Sequence, residues 1–287
     1  MNDVRTGQSV ARRGSDCAVG QTVLEKGKVL GPAQIAVAAS IGAAEVTVFA
    51  RPRVAILGTG NEIVPFDATP GPQQIRNSNT PMLAALLTSM GNDVTDLGIV
   101  PDDLATIRQR LEDAVANHDV VFVSGGMSMG TYDYVPRLLG EMGFEFRISK
   151  LRIKPGKPFI FATRGEQFIF GLPGNPVSGF VCTVRLASRL LARMGGGMPS
   201  ELWTLGKLAS GLPANGPREF YHPVAIDPPA HRDRSAQAQF SIVRPLNWKA
   251  SSDIYTLAAA DGLLVRAENE PALPLATVVS VLRISVH

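Results

Sequence analysis

Apolar runs alternate with helical patterns through the middle of the chain. Mostly apolar runs, which predict buried strands, occupy residues 53–57 and 119–123, and residues 94–100 predict another strand. Each of these strands is followed by a segment that begins or ends with residues typical of helix termini, at residues 80–90, 102–116 and 134–142. Buried strands separated by helices are typical of a parallel sheet with helices on both faces, so we expect a three-layer α/β fold here.

The N-terminal part of the chain has a different pattern. Residues 32–42 have proline at their start and glycine at their end, which predicts a helix. Residues 45–49 are rich in Val and Phe and predict a strand.

The C-terminal part is separated by a glycine-rich stretch at residues 195–199, which is typical of a hinge. Beyond it, short Val-rich segments at residues 239–243 and 277–284 predict a small β-barrel or sandwich. We therefore divide the chain into residues 1–50, an α/β domain at residues 51–198 and a β-barrel domain at residues 199–287.

Composition and charge exclude several classes of protein. Of the 287 residues, 45% are hydrophobic and 18% charged, which is typical of a globular chain. The net charge is +3 without a basic block, so we expect no nucleic-acid partner. The longest weakly polar run, residues 34–44, is too short to span a membrane, and the N-terminus lacks the apolar core of a secretory signal. Two cysteines provide neither a disulfide framework nor a metal cage, and we expect a cytoplasmic protein.

Three acids follow predicted strands of the α/β domain. Glu62, Asp102 and Asp133 lie where a parallel sheet would gather them at the edge formed by the carboxyl ends of its strands. Carboxylates gathered in this way can hold Mg²⁺. Taken singly, Glu62 could be a solvated loop residue, Asp102 a helix cap and Asp133 a first-turn residue that complements the helix dipole.

Basic residues form one short cluster, residues 147–157, which is large enough for a small anion. Lys150, Arg152 and Lys154 are spaced two residues apart, which would place all three on one face of a strand. Such a face can bind an anion, or it can be a solvated edge strand that deters aggregation.

Two glycine-rich loops could hold a phosphate with backbone N–H groups, or could simply be tight turns. They are residues 124–130 and residues 171–176, each before a predicted helix. The motifs of ordinary nucleoside triphosphatases and dinucleotide-binding proteins are absent from the sequence.

Several long motifs, in order, resemble the molybdopterin molybdenumtransferase family, which includes the E-domain of gephyrin. They are VRTGQSVARRGSDCAVG (4–20), TGNEIV (59–64), IRNSN (75–79), LGIVPDD (97–103), SGGMSMGTYDYV (124–135), KLRIKPGKPF (150–159) and GLPGNPVSG (171–179). The resemblance implies that adenylated molybdopterin and molybdate are converted to molybdenum cofactor and AMP with the help of Mg²⁺. It also implies a molybdopterin-binding α/β domain, a C-terminal β-barrel, and a residue 1–50 segment that is the remnant of a longer N-terminal lobe.

The resemblance also assigns roles to residues. Glu62, Asp102 and Asp133 correspond to the family's catalytic and metal-binding acids. Substrate-binding positions are Lys150, Lys154, Ser124, Gly125, Gly126, Asn79, Pro173, Pro176 and Ser251.

The family further implies a homodimer, and molybdopterin adenylyltransferase as the upstream partner. Asn61 and Asn77 stand where acids are common in the family, and most of the usual N-terminal lobe is missing from this sequence. Two alternatives remain at this stage: a catalytically impaired scaffold or binding protein of the same fold, and a molybdopterin adenylyltransferase. The charged edge favours an enzyme over a scaffold, and the GLPGNPVSG motif with the β-rich tail argues against the adenylyltransferase.

Overall fold

The structure is a computed structural model that describes residues 6–127, 134–228 and 240–284. Its helices are α1 (Pro32–Ser40), α2 (Asn79–Ser89), α3 (Leu104–Asn117), α4 (Tyr134–Glu141), α5 (Pro176–Cys182), α6 (Ser188–Met194) and α7 (Ile254–Ala258), with a π-helical turn (Thr183–Ala187) joining α5 to α6. The strands before the barrel are β1 (Arg53–Thr59), β2 (Ile63–Val64), β3 (Ile75–Arg76), β4 (Asp93–Val100), β5 (Val120–Ser124), β6 (Glu145–Ile148), β7 (Ile153–Lys154), β8 (Ile160–Arg164) and β9 (Gln167–Leu172). The remaining strands are β10 (Trp203–Leu208), β11 (Glu219–Asp227), β12 (Ser241–Pro245), β13 (Gly262–Arg266) and β14 (Val278–Arg283).

The α/β domain is built on a six-stranded sheet of order β4-β1-β5-β9-β8-β6. The four strands from β4 to β9 are parallel, as predicted, and β8 and β6 extend them as antiparallel neighbours. Val54 and Ile56 of β1 pack with α2 and α6, whereas Ala55 and Leu57 pack with α3 and α4. Both faces of the sheet are therefore covered, which explains the unbroken apolar runs in the sequence.

The C-terminal strands close into a barrel. β12, β10, β14, β13 and β11 pair in succession, and β11 pairs back to β12. Val224, Val243, Leu264 and Val281 fill its interior. The predicted small barrel is thus confirmed, and closure leaves these five strands without an unpaired edge between them.

Two predicted strands differ from the structure. Residues 45–49 form no strand and are exposed, because an extended segment becomes a strand only by pairing with another, and the described residues provide no partner. The predicted strand from Lys150 to Lys154 shrinks to β7, because the Leu151 N–H donates to the Lys157 carbonyl at 3.1 Å and turns the segment back on itself. β7 joins the barrel by pairing with β11. Among the described residues, no helix is long and apolar enough to cross a bilayer.

We expect stability to depend on pH through His222 of β11. Burial lowers the pKa of its imidazole in the folded protein, whereas the pKa of the imidazole in the unfolded chain is about 6.5. Between these two pKa values the unfolded state binds more protons, so the free energy of unfolding should decrease as the pH falls below about 6.5. Urea titrations at pH 7 and pH 5 should show this loss, and His222→Gln should reduce it. An equal loss in the variant would exclude His222 as its cause.

Candidate active site at the carboxyl ends of the parallel strands

The register of the parallel strands brings their ends to one edge of the sheet. Thr59 of β1 is level with Val100 of β4, and Ser124 of β5 is level with Leu172 of β9. The loops after these four strands contain most of the residues that the sequence analysis selected. A rim of loops in this position is where open α/β sheets bind ligands.

Asp102 and Asn61 connect two of these loops. The Asn61 backbone N–H donates to Asp102 Oδ2 at 3.3 Å, and the Asp102 backbone N–H donates to Asn61 Oδ1 at 3.0 Å. Asp102 does not cap α3. Its neighbour Asp103 does, by accepting the Thr106 N–H at 2.8 Å. Asp102 is therefore held at the rim.

Glu62 occupies the same loop as Asn61 and is exposed. Its carboxylate lies beside Gly60, with Oε2 2.9 Å from the position that a Cβ atom on Gly60 would take. Gly60 has a φ of +145°, which disfavours other residues. The glycine of the TGNE sequence thus makes room for the Glu62 carboxylate.

Asn79 forms hydrogen bonds that connect helix α2, strand β5 and the loop after β9. This buried residue of the first turn of α2 donates through Nδ2 to Ser124 Oγ at 2.9 Å and to the Gly174 carbonyl at 2.7 Å. Asn77 accepts the Thr80 N–H at 3.2 Å and so satisfies a donor at the start of the same helix. The resemblance alone predicted Asn79 in the pocket, and in the structure Asn79 joins β5 to the loop after β9.

The glycine loop after β5 lies directly against the end of β1. Gly125 has a φ of +97°, and a Cβ atom there would lie 2.4 Å from the Thr59 carbonyl oxygen. Gly126 has a φ of +63°, and its Cβ would lie 2.9 Å from Thr59 Oγ1. Thr59 Oγ1 is buried and has no hydrogen-bond partner within the described residues. Sequence reasoning missed Thr59, although it precedes Gly60 in the same motif.

The second glycine-containing loop is in contact with the C-terminal domain. Pro173 is buried, and Pro176 is the first residue of α5. The Val177 N–H, in the first turn of α5, donates to the Ser251 carbonyl at 3.1 Å. The structure therefore brings Ser251, which is distant in sequence, to the rim.

The two predicted anion-binding lysines have different surroundings. Lys150 is exposed, outside any strand. Lys154 Nζ lies 4.7 Å from the Phe220 ring centroid and 5.5 Å from that of Trp248. Arg152, between them, forms an ion pair with Glu268 at 2.7 Å. The predicted face of three like charges therefore does not form.

Asp133 lies outside the described residues, so its predicted catalytic and metal-binding role stays a prediction. Cys182 is buried in α5, and burial raises the pKa of its thiol to about 12, which makes it an unreactive core residue.

Comparison with known families agrees with this architecture. Residues 55–193 match the family described as a probable molybdopterin binding domain, which places the α/β domain in that class. Residues 1–42 match the MoeA N-terminal region (domain I and II).

Individual relatives extend the match. The molybdopterin molybdenumtransferase of Nostoc sp. is 35% identical over 195 residues, which is 67% of this chain and 45% of that protein. The enzyme of that name from Haemophilus influenzae is 36% identical over 189 residues, or 66% of this chain and 46% of that protein. A solved MoeA protein from Pyrococcus horikoshii superposes with a TM-score of 0.80 at 28% identity, covering 95% of this chain and 64% of the other. The chain belongs to the MoeA family, and its matched part spans less than half the length of the two relatives named above.

Proposed function

We propose that this protein acts in molybdenum cofactor biosynthesis as a molybdopterin molybdenumtransferase. In this reaction the phosphoanhydride bond of adenylated molybdopterin is hydrolysed, so that an oxygen of water bonds to phosphorus as AMP leaves, and molybdenum from molybdate is inserted to give molybdenum cofactor. The observation that carries the proposal is the rim itself, where the Glu62 and Asp102 carboxylates lie in loops next to the glycine loop of a molybdopterin-binding domain. The proposal includes the family's homodimer, a cytoplasmic setting, and supply of the substrate by a molybdopterin adenylyltransferase.

Mg²⁺ suits the acidic part of the rim. It prefers oxygen ligands and usually binds through one or two carboxylates while keeping waters and substrate phosphates. Glu62 presents an exposed carboxylate, and Asp102 uses one oxygen for the Asn61 N–H, which leaves the other available. Within the described part of the chain there is no group of three acids, histidines or cysteines that could hold a metal. The ion would be held by the Glu62 and Asp102 carboxylates, with Asp133 as a predicted third ligand. When bound, the ion would neutralise charge on the phosphate oxygens.

The remaining residues serve binding and orientation. Gly125 and Gly126 allow a phosphate or pterin to approach the backbone closely, since neither carries a side chain. Asn79 and Ser124 fix this loop against α2. Lys154 and Lys150 attract the molybdate anion, and Pro173 and Pro176 shape the opposite loop, where Ser251 adds a polar group from the barrel.

The first test is molybdate-dependent AMP release from adenylated molybdopterin with Mg²⁺. We expect release by the wild-type chain and a fall of about 10²-fold in kcat/KM for Lys154→Met, because a preorganised cation is lost. Arg152→Met is the matched control. It removes a cation two residues away that Glu268 already neutralises, so activity should stay within about twofold of wild type. A folded wild-type protein that binds the adenylate without releasing AMP would instead be a binding module.

A second prediction concerns Asn61, whose amide holds the Asp102 loop. Asn61→Ala removes the acceptor for the Asp102 N–H, at a cost of about 1 kcal/mol, or roughly fivefold in the Mg²⁺ concentration needed for half-maximal AMP release. Asn61→Asp keeps an acceptor oxygen and should need no more Mg²⁺ than wild type. Equal Mg²⁺ dependence of Asn61→Ala and wild type would show that the connection does not position Asp102.

A further inference from the structure

We propose that Phe220 and Trp248, both from the C-terminal domain, are positioning residues that hold the Lys154 ammonium as an unneutralised cation for a tetrahedral oxyanion. The inference rests on the proposed function in taking molybdate as that oxyanion. The contact between the lysine and the two rings is independent of it. We call Lys154, Phe220 and Trp248 the lysine clasp.

The fold builds the clasp through one short strand pairing. Lys154 of β7 is level with Phe220 of β11 in a parallel pair, and the Glu219 N–H donates to the Arg152 carbonyl at 3.0 Å. The Phe220 and Trp248 ring centroids are 5.4 Å apart, with the planes tilted by 44°. A lysine of the α/β domain is thus fixed by aromatic side chains of the barrel.

The chemistry of the clasp differs from that of nearby cations. Arg152 is paired with Glu268, and Arg185 is paired with Glu201, so a carboxylate cancels each of these charges. Within the described residues, Lys154 has ring faces as neighbours and no carboxylate within ion-pair distance. Aromatic rings attract a cation through their quadrupole without cancelling its formal charge. The clasp therefore orders a flexible side chain while its charge stays available to an anion.

A second cation does not compete for the same rings. The His222 imidazole lies near Phe220, with ring centroids 5.0 Å apart and planes tilted by 35°. Burial lowers its pKa, so it is neutral at pH 7. Trp248 precedes Ser251 by three positions, and the Ser251 carbonyl accepts the Val177 N–H of α5.

The contact can be tested without any enzyme assay. The chain has two tryptophans, so Trp203→Phe leaves Trp248 as the sole indole. In this background Lys154→Met should change the position and intensity of the Trp248 emission, because it removes a charge beside the ring. Lys150→Met, which removes an exposed lysine, should leave the emission unchanged. Unchanged emission on removing Lys154 would overturn the clasp.

The role of the clasp is tested by steady-state kinetics. Phe220→Leu and Trp248→Leu should raise the KM for molybdate about threefold to tenfold, with kcat and the KM for the adenylate nearly unchanged. Trp248→Phe and Phe220→Tyr keep a ring face and should restore most of the affinity. Phe161→Leu is the matched control, since Phe161 stacks with Phe168 and Phe170 in the sheet, whereas the ring contacts of Lys154 are with Phe220 and Trp248.

The positioning role of the two rings and the oxyanion site at Lys154 can be disproved independently of the proposed reaction. Equal molybdate KM values for Phe220→Leu and Phe161→Leu, in folded proteins, would overturn the positioning role. If the wild-type protein releases no AMP, the oxyanion site is tested instead by titrating the Trp203→Phe protein with molybdate and measuring the Trp248 fluorescence. Saturable quenching that is lost in Lys154→Met supports the oxyanion site although the proposed reaction has failed, and no response overturns the site.

Discussion

Replacing Arg266 with methionine is expected to lower the free energy of unfolding of the C-terminal barrel by about 3–5 kcal/mol. Arg266 of β13 is only 3% exposed. Its guanidinium donates to Glu270 at 2.6 Å, to the Pro213 carbonyl at 2.7 Å and to the Pro271 carbonyl at 3.0 Å. Methionine fills similar space but leaves a largely buried carboxylate and two carbonyl groups without their donor. Urea unfolding monitored by Trp248 fluorescence, in the Trp203→Phe background, measures the loss.

Arg244 provides the matched control for this prediction. It lies on β12 of the same barrel and donates to Asp227 at 2.6 Å, but both side chains are about half exposed, at 55% and 46%. Water replaces the lost partner at such a site, so Arg244→Met should cost no more than about 1 kcal/mol. Equal losses for the two variants would show that burial is not what makes the Arg266 cluster important.

The core of the α/β domain could be predicted from the sequence because its signal is local. Residues 54–57 and 120–123 are apolar throughout, and β1 and β5 are buried on both faces. The common edge at the carboxyl ends of the strands followed from a general rule of parallel sheets. The acids at the rim were selected because they follow predicted strands that end at this edge. The structure places Glu62 and Asp102 in adjoining loops.

Features that depend on distant partners could not be predicted in this way. Lys150 and Lys154 have the spacing of one strand face, but a hydrogen bond between Leu151 and Lys157 removes Lys150 from it. The contact of Lys154 with Phe220 and Trp248 has no local signal, because the barrel closes around it from far along the chain. The spacing of residues in a sequence predicts which side chains share one face of a strand. The residues that this face contacts are determined by the tertiary structure.

Asp102 and Asp103 were both candidates for the N-cap of α3. Both precede α3, and either could cap it. Asp103 takes the extended backbone conformation of an N-cap and accepts from both the N–H and the hydroxyl of Thr106. The Thr106 hydroxyl gives Asp103 a second hydrogen bond, which Ala105, three residues after Asp102, has no side-chain group to provide. Because Asp103 caps the helix, Asp102 is available at the rim.

Gly125→Ala is expected to reduce kcat/KM for AMP release by about 10²-fold, since displacements of about 1 Å at a binding site have effects of this size. The new methyl group would lie 2.4 Å from the Thr59 carbonyl oxygen, which is backbone of the central strand and cannot rotate away. The φ of +97° adds strain of about 1–3 kcal/mol for any residue with a side chain. The loop must therefore shift, and Ser124 and its bond to Asn79 would shift with it.

Gly140→Ala distinguishes this effect from the general consequences of adding a methyl group. Gly140 is within α4, where a Cβ atom would meet only the Phe146 ring at 3.9 Å, an ordinary contact. Alanine there should stabilise the protein by about 0.5–1 kcal/mol and leave kcat/KM unchanged, because a helix interior favours alanine over glycine. The same substitution thus has opposite consequences at the two positions. If Gly125→Ala retains full activity, the glycine loop is not in contact with the substrate, and binding of the adenylate must be assigned to the loop after β9.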